Sequence, residues 1–302
     1  MSTSRKISDV RRAQSTTEGA GVLLKRVFGY HQTPQFDPFL LLDEFGSENP
    51  DDYMAGFPWH PHRGIETVTY MLEGAVEHGD SIGNSGVIRS GDIQWMTAGS
   101  GIIHQEMPKR YDGKLRGFQL WVNLPPSHKM MEPRYREVTN SQVPEITPQQ
   151  GVVVKIISGE IEGVKGPVQD IIVPVEYYDI TLESGKEFTL DVQESYNVFA
   201  YVIDGSGSIG INNENRIESE YLAHLIDGER VFLKAEDIPF RLLLVAGAPI
   251  REPIAWYGPI VMNWHEELEL AFQEYRAGTF IKTKSGFSKD NNSTDGQHFY
   301  HS

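Results

Sequence analysis

The chain has 302 residues, enough for about two domains with substantial hydrophobic cores. Its 27 basic and 42 acidic residues give a formal net charge of −15, which disfavours direct binding to the phosphate backbone of nucleic acids. The absence of cysteine excludes disulfides, thiolate zinc sites and thiol nucleophiles.

The sequence has no pattern of a membrane-spanning or secreted protein. Its apolar runs, such as residues 242–250, fall well short of the roughly 18 residues that a membrane span needs. The basic N-terminal stretch lacks the apolar segment of a signal peptide. We therefore expect a cytoplasmic protein that does not bind membranes.

Two regions of the chain share a strand-rich texture. Residues 66–101 alternate β-branched and aromatic segments with glycine-rich turns, and residues 196–249 repeat this arrangement. In the second region Asp204–Gly207 and the pair Asn212–Asn213 are suited to hairpin turns. Many short strands indicate a sandwich or a barrel, and the repetition indicates two of them.

The two domains are predicted to meet in a polar segment at residues 139–151. We place an N-terminal domain at 1–145 and a C-terminal domain at 146–288, followed by a polar, disordered tail at 289–302. One helix is predicted near residues 264–277 of the second domain. Asn263 is its predicted N-cap, and Gly278 is predicted to end it. Its predicted apolar face is formed by Leu268, Ala271, Phe272 and Tyr275.

Two short motifs each place two metal-capable side chains two residues apart. These are His60 and His62 in "WHPHRGIE", and His104 and Glu106 in "GIIHQEM". On a strand, residues i and i+2 point to the same face about 6.5 Å apart, so each pair can aim at one point. Three imidazoles and one carboxylate suit a divalent transition metal and leave octahedral positions open for water, substrate or dioxygen.

A single His-x-His motif is usually unremarkable, and it is the second pair that indicates a metal site. Pro61 has no amide hydrogen, which indicates that the first pair lies on an edge strand or at the start of a strand. The other histidines lack such pairing, apart from His298 and His301 in the predicted tail, which we expect to be solvated.

These motifs and their flanking segments resemble the pirin family of the cupin superfamily. The segments are "FPWHPHRGIETVTYMLEG", "GDIQWMTAGSGIIHQEMP", "DPFLLLDEF" and "YGPIVMN", and the likeness covers about residues 15–285. The resemblance implies an all-β bicupin, with two face-to-face β-barrel (double-stranded β-helix) domains and a short C-terminal helix. It also implies one iron per chain, Fe²⁺ or another divalent metal, in the N-terminal domain. The implied ligands are His60, His62, His104 and Glu106.

The identity of the carboxylate ligand is open from the residues alone. General cupin motifs place it a few residues after His-x-His, where Glu66 stands. Position parity does not decide, because residues 60, 62 and 66 are all even. The pirin resemblance favours Glu106 and leaves Glu66 as a hydrogen-bond acceptor outside the ligand set. In the second half a lone His224 does not make a site, so we expect no metal there.

The resemblance implies functions of different classes. Several pirins, bacterial ones especially, oxidise flavonols such as quercetin with dioxygen, which implies quercetin 2,3-dioxygenase chemistry with Glu106 as the catalytic base. The alternative is an iron-dependent regulatory protein that binds a transcription factor or a metabolic enzyme, and a weaker one is a cupin isomerase. We expect a monomer. The predicted walls of a flavonol pocket are Phe57, Trp59, Trp95 and Met96.

Overall fold

The computed structural model describes residues 3–110, 113–210 and 216–282, so the predicted tail and Asn212–Asn213 lie outside the described residues. The described ranges are mostly β-strand with one α-helix, α1 (His265–Arg276), which confirms the predicted all-β class and the C-terminal helix. None of the described helices has the length and apolarity to cross a bilayer. The strands are β1 (Lys6–Arg12), β2 (Gln14–Glu18), β3 (Val22–Phe28), β4 (Phe39–Ser47), β5 (Phe57–His62), β6 (Ile65–Glu73), β7 (Ala75–Asp80), β8 (Ser85–Arg89), β9 (Ile93–Thr97), β10 (Ile102–Pro108), β11 (Leu115–Asn123), β12 (Arg134–Val138), β13 (Glu145–Gln149), β14 (Val152–Ser158), β15 (Glu160–Ile161), β16 (Val164–Lys165), β17 (Val175–Leu182), β18 (Glu187–Asp191), β19 (Asn197–Ile209), β20 (Arg216–Glu218), β21 (Tyr221–Ile226), β22 (Arg230–Gly247), β23 (Ala255–Tyr257) and β24 (Ile260–Met262).

The chain forms two compact units that are not contiguous in sequence. Unit 1 takes the described residues up to Gln14, then Arg26–Leu40 and Asn140–Ile250; unit 2 takes Ser15–Lys25, Leu41–Thr139 and the described residues from Arg251 onwards. This division differs from the predicted domains at both ends of the chain. The reason at the N-terminus is strand pairing, because β1 is hydrogen-bonded antiparallel to β21.

Unit 1 is built on one large antiparallel sheet. Its strand order is β1-β21-β19-β22-β17-β14-β13, with β18 added to β22 and β20 to β19. The core consists mainly of apolar side chains, and Ile180, Ala200 and Leu242 are among those fully buried in it. Such a core stabilises the unit by burial of apolar surface without any metal.

The predicted turn at Asp204–Gly207 is wrong, because these residues lie inside the long strand β19. The pairing of β19 with β22 shifts register between Val202 and Asp204 and again between Gly205 and Gly207. Gly205 has a φ of +80°, and a Cβ there would lie 1.8 Å from a backbone oxygen. The glycines therefore serve a β-bulge and not a hairpin turn.

Besides the two-stranded hairpin of β23 and β24, the described part of unit 2 forms two larger antiparallel sheets. One has the order β5-β10-β7-β8, and the other has the order β12-β9-β6-β11-β4-β3-β2, apart from the ends of β2, β3 and β4 that belong to unit 1. Side chains from both sheets share one core, with Met71 from the larger sheet beside Val76 and Ile88 from the smaller one. The odd-numbered residues of β6, including Met71, thus face inward.

The helix α1 is capped differently from the prediction. Both the Asn263 and the Trp264 backbone N–H groups donate to the carboxylate of Glu267 at 3.1 Å, so the helix begins one residue later than expected. Leu268 and Ala271 are buried as predicted, whereas Tyr275 is 38% exposed.

Candidate metal centre

The two metal-capable pairs lie on neighbouring strands of the smaller sheet of unit 2. His60 and His62 both lie on β5, which is an edge strand of this sheet. The edge position agrees with the prediction made from Pro61, which has no amide hydrogen to donate. β5 pairs antiparallel with β10 in a register that sets His104 directly opposite His60. Strand pairing therefore brings three imidazoles together, with ring centroids 4.3–5.0 Å apart.

Two of these imidazoles present bare nitrogen lone pairs to each other. The Nδ1 of His60 lies 2.8 Å from the Pro58 carbonyl, and the Nδ1 of His62 lies 3.0 Å from the Pro259 carbonyl. Because a carbonyl oxygen can only accept, each Nδ1 carries the proton and each neutral ring has a bare Nε2. These two Nε2 atoms are 3.1 Å apart. Two nitrogen ligands bound to one ion at about 2.1 Å and at a right angle stand about 3.0 Å apart, which matches this separation.

Burial keeps these imidazoles neutral. Desolvation lowers the pKa of His60 to about 4, with a smaller contribution from His78. Desolvation and then the neighbouring His60 lower the pKa of His62 well below its ordinary value. The pKa of His104 is likewise lowered by burial and by the surrounding histidines. Neutral imidazole is the form that binds a metal.

His104 connects two possible ligand groups. The ligand atoms of His60, His62 and His104 all lie within 4.8 Å of one another, and so do those of His78, His104 and Glu106. Neither ring nitrogen of His104 has a hydrogen-bond partner among the described residues, although the ring is buried. A buried imidazole without partners is costly unless an ion binds it. The donor set, rich in imidazole with one carboxylate, fits a divalent transition metal.

Glu106 is held in an environment that favours proton uptake. It faces His78 across the β10–β7 pair, and Thr69 Oγ1 donates to its Oε1 at 3.0 Å. The Gln119 amide lies 2.7 Å from the same hydroxyl and can donate to it once the amide is rotated. Burial raises the pKa of Glu106, against smaller lowering contributions from His78 and Thr69.

Glu66 lies on the face of β6 that points away from Glu106. It belongs to β6, where residues alternate between faces, and the odd-numbered Thr69 is the residue that contacts Glu106. Glu66 Oε1 accepts a hydrogen bond of 2.6 Å from Thr97 Oγ1, and Arg134 lies 3.9 Å away. This position agrees with a structural acceptor outside the ligand set.

The predicted pocket residues divide into two classes. Phe57 and Trp59 on β5 are partly exposed. Trp95 pairs with Val68, on the face of the sheet opposite to Thr69, and is only 2% exposed. Met96 is on the inner face but is fully buried. Trp95 therefore packs in the core, and neither it nor Met96 offers an accessible wall.

Sequence reasoning missed two side chains beside the centre. His78 Nε2 lies 3.4 Å from Asp80, which leaves a buried Nδ1 without a hydrogen-bond partner among the described residues. Trp121 on β11 is partly exposed, and its ring lies 5.0 Å from the His62 ring. The His78 and Asp80 pair has i, i+2 spacing, which is a signal that could have found it.

The described part of unit 1 offers no comparable cluster. Among the described residues, the groups of three or more metal-capable side chains both lie in unit 2. His224 in unit 1 has Ser8 Oγ 3.0 Å from its Nδ1 and packs against Phe36. That environment is one of packing and hydrogen bonding.

Comparison with known proteins agrees with this architecture. The family model Pirin matches residues 21–122, and the model of the pirin C-terminal cupin domain matches residues 177–281. The expected bicupin class, with two cupin domains, is therefore confirmed.

Relatives match over nearly the whole chain. A "putative quercetin 2,3-dioxygenase" of Pseudomonas aeruginosa is 42% identical over 278 residues, covering 91% of this chain and 97% of that protein. A pirin-like protein of Caulobacter vibrioides is 43% identical over 277 residues, covering 91% and 99%. The crystal structure of quercetin 2,3-dioxygenase from Acinetobacter baumannii superposes with a TM-score of 0.85 at 34% identity, covering 92% of this chain and 99% of that one.

Proposed function

Because the chain belongs to the pirin family, we propose that it is a metal-dependent dioxygenase that oxidises flavonols such as quercetin with O₂. The proposed centre is one divalent iron per chain, held by His60, His62, His104 and Glu106. The observation that carries the proposal is the pair of bare Nε2 lone pairs of His60 and His62, 3.1 Å apart, an approach that a cation between them makes favourable. Support for the substrate class comes from the similarity to the quercetin 2,3-dioxygenase of Acinetobacter baumannii.

Glu106 is the proposed general base. A flavonol must lose its 3-hydroxyl proton before its oxygen becomes a strong ligand and its ring becomes electron-rich. Glu106 is buried in the candidate centre, where its carboxylate would stand next to a flavonol hydroxyl bound at the ion and would accept its proton. Thr69 donates to Oε1 and so fixes the orientation of the carboxylate.

An ion bound by the four proposed ligands would supply Lewis acidity and electron transfer between substrate and dioxygen. The protein holds the flat substrate beside it. Phe57 remains a proposed wall from the predicted set, because it is partly exposed, pairs with Glu106 and has its ring 6.5 Å from the His60 ring. Trp59 directly precedes His60 on β5 and therefore points to the opposite face, beside Gly79. Trp121 joins Phe57, since its ring contacts the His62 ring edge-on at 5.0 Å.

The iron-loaded protein is expected to consume oxygen in the presence of quercetin. The metal is expected to matter, so oxygen uptake is measured with iron, manganese, nickel and copper, because imidazole and carboxylate sites accept several divalent ions. Protein freed of metal controls for autoxidation of the flavonol. A flavone that lacks the 3-hydroxyl is the matched substrate control and should not react, because Glu106 has no proton to remove from it.

Absence of uptake with all four metals, at full metal occupancy, would contradict the enzymatic proposal. The metal-dependent regulatory function would then be the better account of the same centre.

A further inference from the structure

The C-terminal part of unit 2 contributes a backbone group to the proposed centre. Its hairpin β23–β24, here called the C-terminal hairpin, has Pro259 at its turn, and the Pro259 carbonyl accepts the Nδ1–H of His62 at 3.0 Å. The two residues are 197 positions apart in sequence. A hydrogen bond on the far nitrogen of a metal-binding imidazole fixes the tautomer and the direction of the ring.

A buried lysine anchors the C-terminal hairpin. Lys129 is 1% exposed, and its ammonium donates to Gly64 O at 2.9 Å, Asn123 Oδ1 at 2.6 Å and Val261 O at 3.0 Å. All three N–H groups are therefore used. Val261 is two residues from Pro259, so the ammonium holds the hairpin beside the carbonyl that contacts His62.

The segment next to His62 contacts the same hairpin at the same residue, Val261. Val261 N donates to the Arg63 carbonyl at 3.1 Å, and Ile260 forms a β-bridge with Arg63. Gly64 makes this approach possible, because a Cβ there would lie 1.9 Å from Val261 O and its φ is +79°. His62, Gly64 and the hairpin are thus packed as one element.

The Arg63 side chain extends this contact towards the end of the described chain. Its Nε donates to Ser100 O at 2.7 Å and its Nη2 donates to Phe280 O at 2.9 Å. The same Nη2 lies 2.8 Å from Glu274 Oε2 on α1, and the guanidinium stacks 4.2 Å from the Phe280 ring centroid. Two buried cations therefore fix the C-terminal part of unit 2 around the strand end that carries His62.

We propose that Lys129 is a positioning residue of the metal centre, acting on His62 through the C-terminal hairpin. Its ammonium keeps residues 259–261 in place, so that the Pro259 carbonyl orients the His62 ring and directs Nε2 towards the ion. An apolar side chain of the same length cannot bind two carbonyls and an amide oxygen, and would leave those acceptors without a donor. This inference rests on the proposed centre of His60, His62, His104 and Glu106.

The direction of the change in metal affinity distinguishes a positioning role of Lys129 from a purely electrostatic one. Burial lowers the pKa of Lys129 to about 7. Below that pH Lys129→Met removes a positive charge from the neighbourhood of a cation site, which by itself would strengthen metal binding. Loss of orientation at His62 would weaken it, and altered outer hydrogen bonds to metal ligands typically cost 10- to 100-fold in affinity. We expect Lys129→Met to bind Co²⁺ about tenfold more weakly than the wild type, measured by competition with a chelator.

A direct measurement on His62 uses the cobalt-loaded protein. Paramagnetic NMR displays the imidazole N–H protons of the ligands, and the Nδ1–H groups of His60 and His62 are both held by carbonyls in the wild type. In Lys129→Met the His62 signal should exchange with solvent faster, while the His60 signal serves as an internal control because Pro58 holds it locally. An unchanged His62 signal with unchanged or tighter cobalt binding would overturn the proposal.

Two further proteins keep the test decisive. Asn123→Ala removes one acceptor but leaves the ammonium, so it should show the same change at His62 to a smaller extent even if Lys129→Met does not fold.

Because the chain has no cysteine, Lys129→Cys carries a single thiol that can be aminoethylated in the unfolded state, which restores an ammonium at nearly the original length. Refolded modified protein should recover cobalt affinity, and failure to recover it would contradict a role for the ammonium. If the wild type binds no cobalt, the proposed centre itself fails, which is a different result.

Discussion

His104→Ala is expected to lose nearly all bound metal while the protein stays folded. His104 belongs to both ligand groups, and neither of its ring nitrogens has another partner among the described residues. Loss of a direct ligand should cost at least the roughly 100-fold in affinity that altered outer contacts can cost. The fold should survive because both units have apolar cores of their own, unlike small metal-dependent domains.

Elemental analysis and circular dichroism test this prediction together. His224→Ala is the matched control, because it removes a buried histidine from unit 1 and should leave the metal content unchanged. Comparison of His60→Ala with His78→Ala then shows which group binds the ion. If His78→Ala releases the metal and His60→Ala retains it, the ligand set proposed above is wrong. Loss of cooperative unfolding on chelation would show a structural metal instead.

Glu106→Gln is expected to keep appreciable metal and lose flavonol turnover. The amide retains the shape and one oxygen donor but accepts no proton near neutral pH. General-base catalysis contributes roughly 10²- to 10⁴-fold, so oxygen uptake with quercetin should fall by a factor in that range. Metal content measured on the same samples separates loss of the base from loss of the ion.

Glu66→Gln is the matched control for this variant. Glu66 is buried and hydrogen-bonded to Thr97, and it lies on the face of β6 opposite to Thr69. It should therefore have a much smaller effect on turnover and on metal content. If Glu66→Gln strips the metal while Glu106→Gln behaves as the wild type, the general cupin arrangement applies and our assignment fails.

The two proposed ligand pairs were visible in the sequence because strand alternation is a local property. His60 and His62 share a strand, as do His104 and Glu106, and a period of two fixes which side chains point the same way. The register that sets His104 opposite His60 is a tertiary contact. The co-occurrence of the two pairs indicated a metal site, and the family resemblance implied that all four residues are its ligands.

Position parity failed for Glu66 for a physical reason. β5 ends at His62 and β6 begins at Ile65, with Gly64 in a positive-φ turn between them. Alternation does not continue through such a turn, so even numbers on the two strands need not share a face. The packing of Met71 and the contact between Thr69 and Glu106 show which face of β6 points to the site.

The contacts of the C-terminal hairpin could not be predicted from local patterns. Lys129 reads as an ordinary surface lysine, yet it is buried with acceptors from Gly64 and Val261. Pro259 contributes only a carbonyl, which no side-chain motif reveals. The glycines at 205 and 207 misled the prediction in another way. Their local sequence is typical of a turn, but they lie at a bulge inside a long strand.

The most direct test of the central claim is anomalous X-ray scattering from crystals of the metal-loaded protein, recorded at the absorption edge of the ion. Our account predicts one strong peak per chain, in contact with His60 Nε2, His62 Nε2, His104 and Glu106. A peak bound by His78, His104 and Glu106 without the other two histidines, or a peak of equal strength in unit 1, would contradict it.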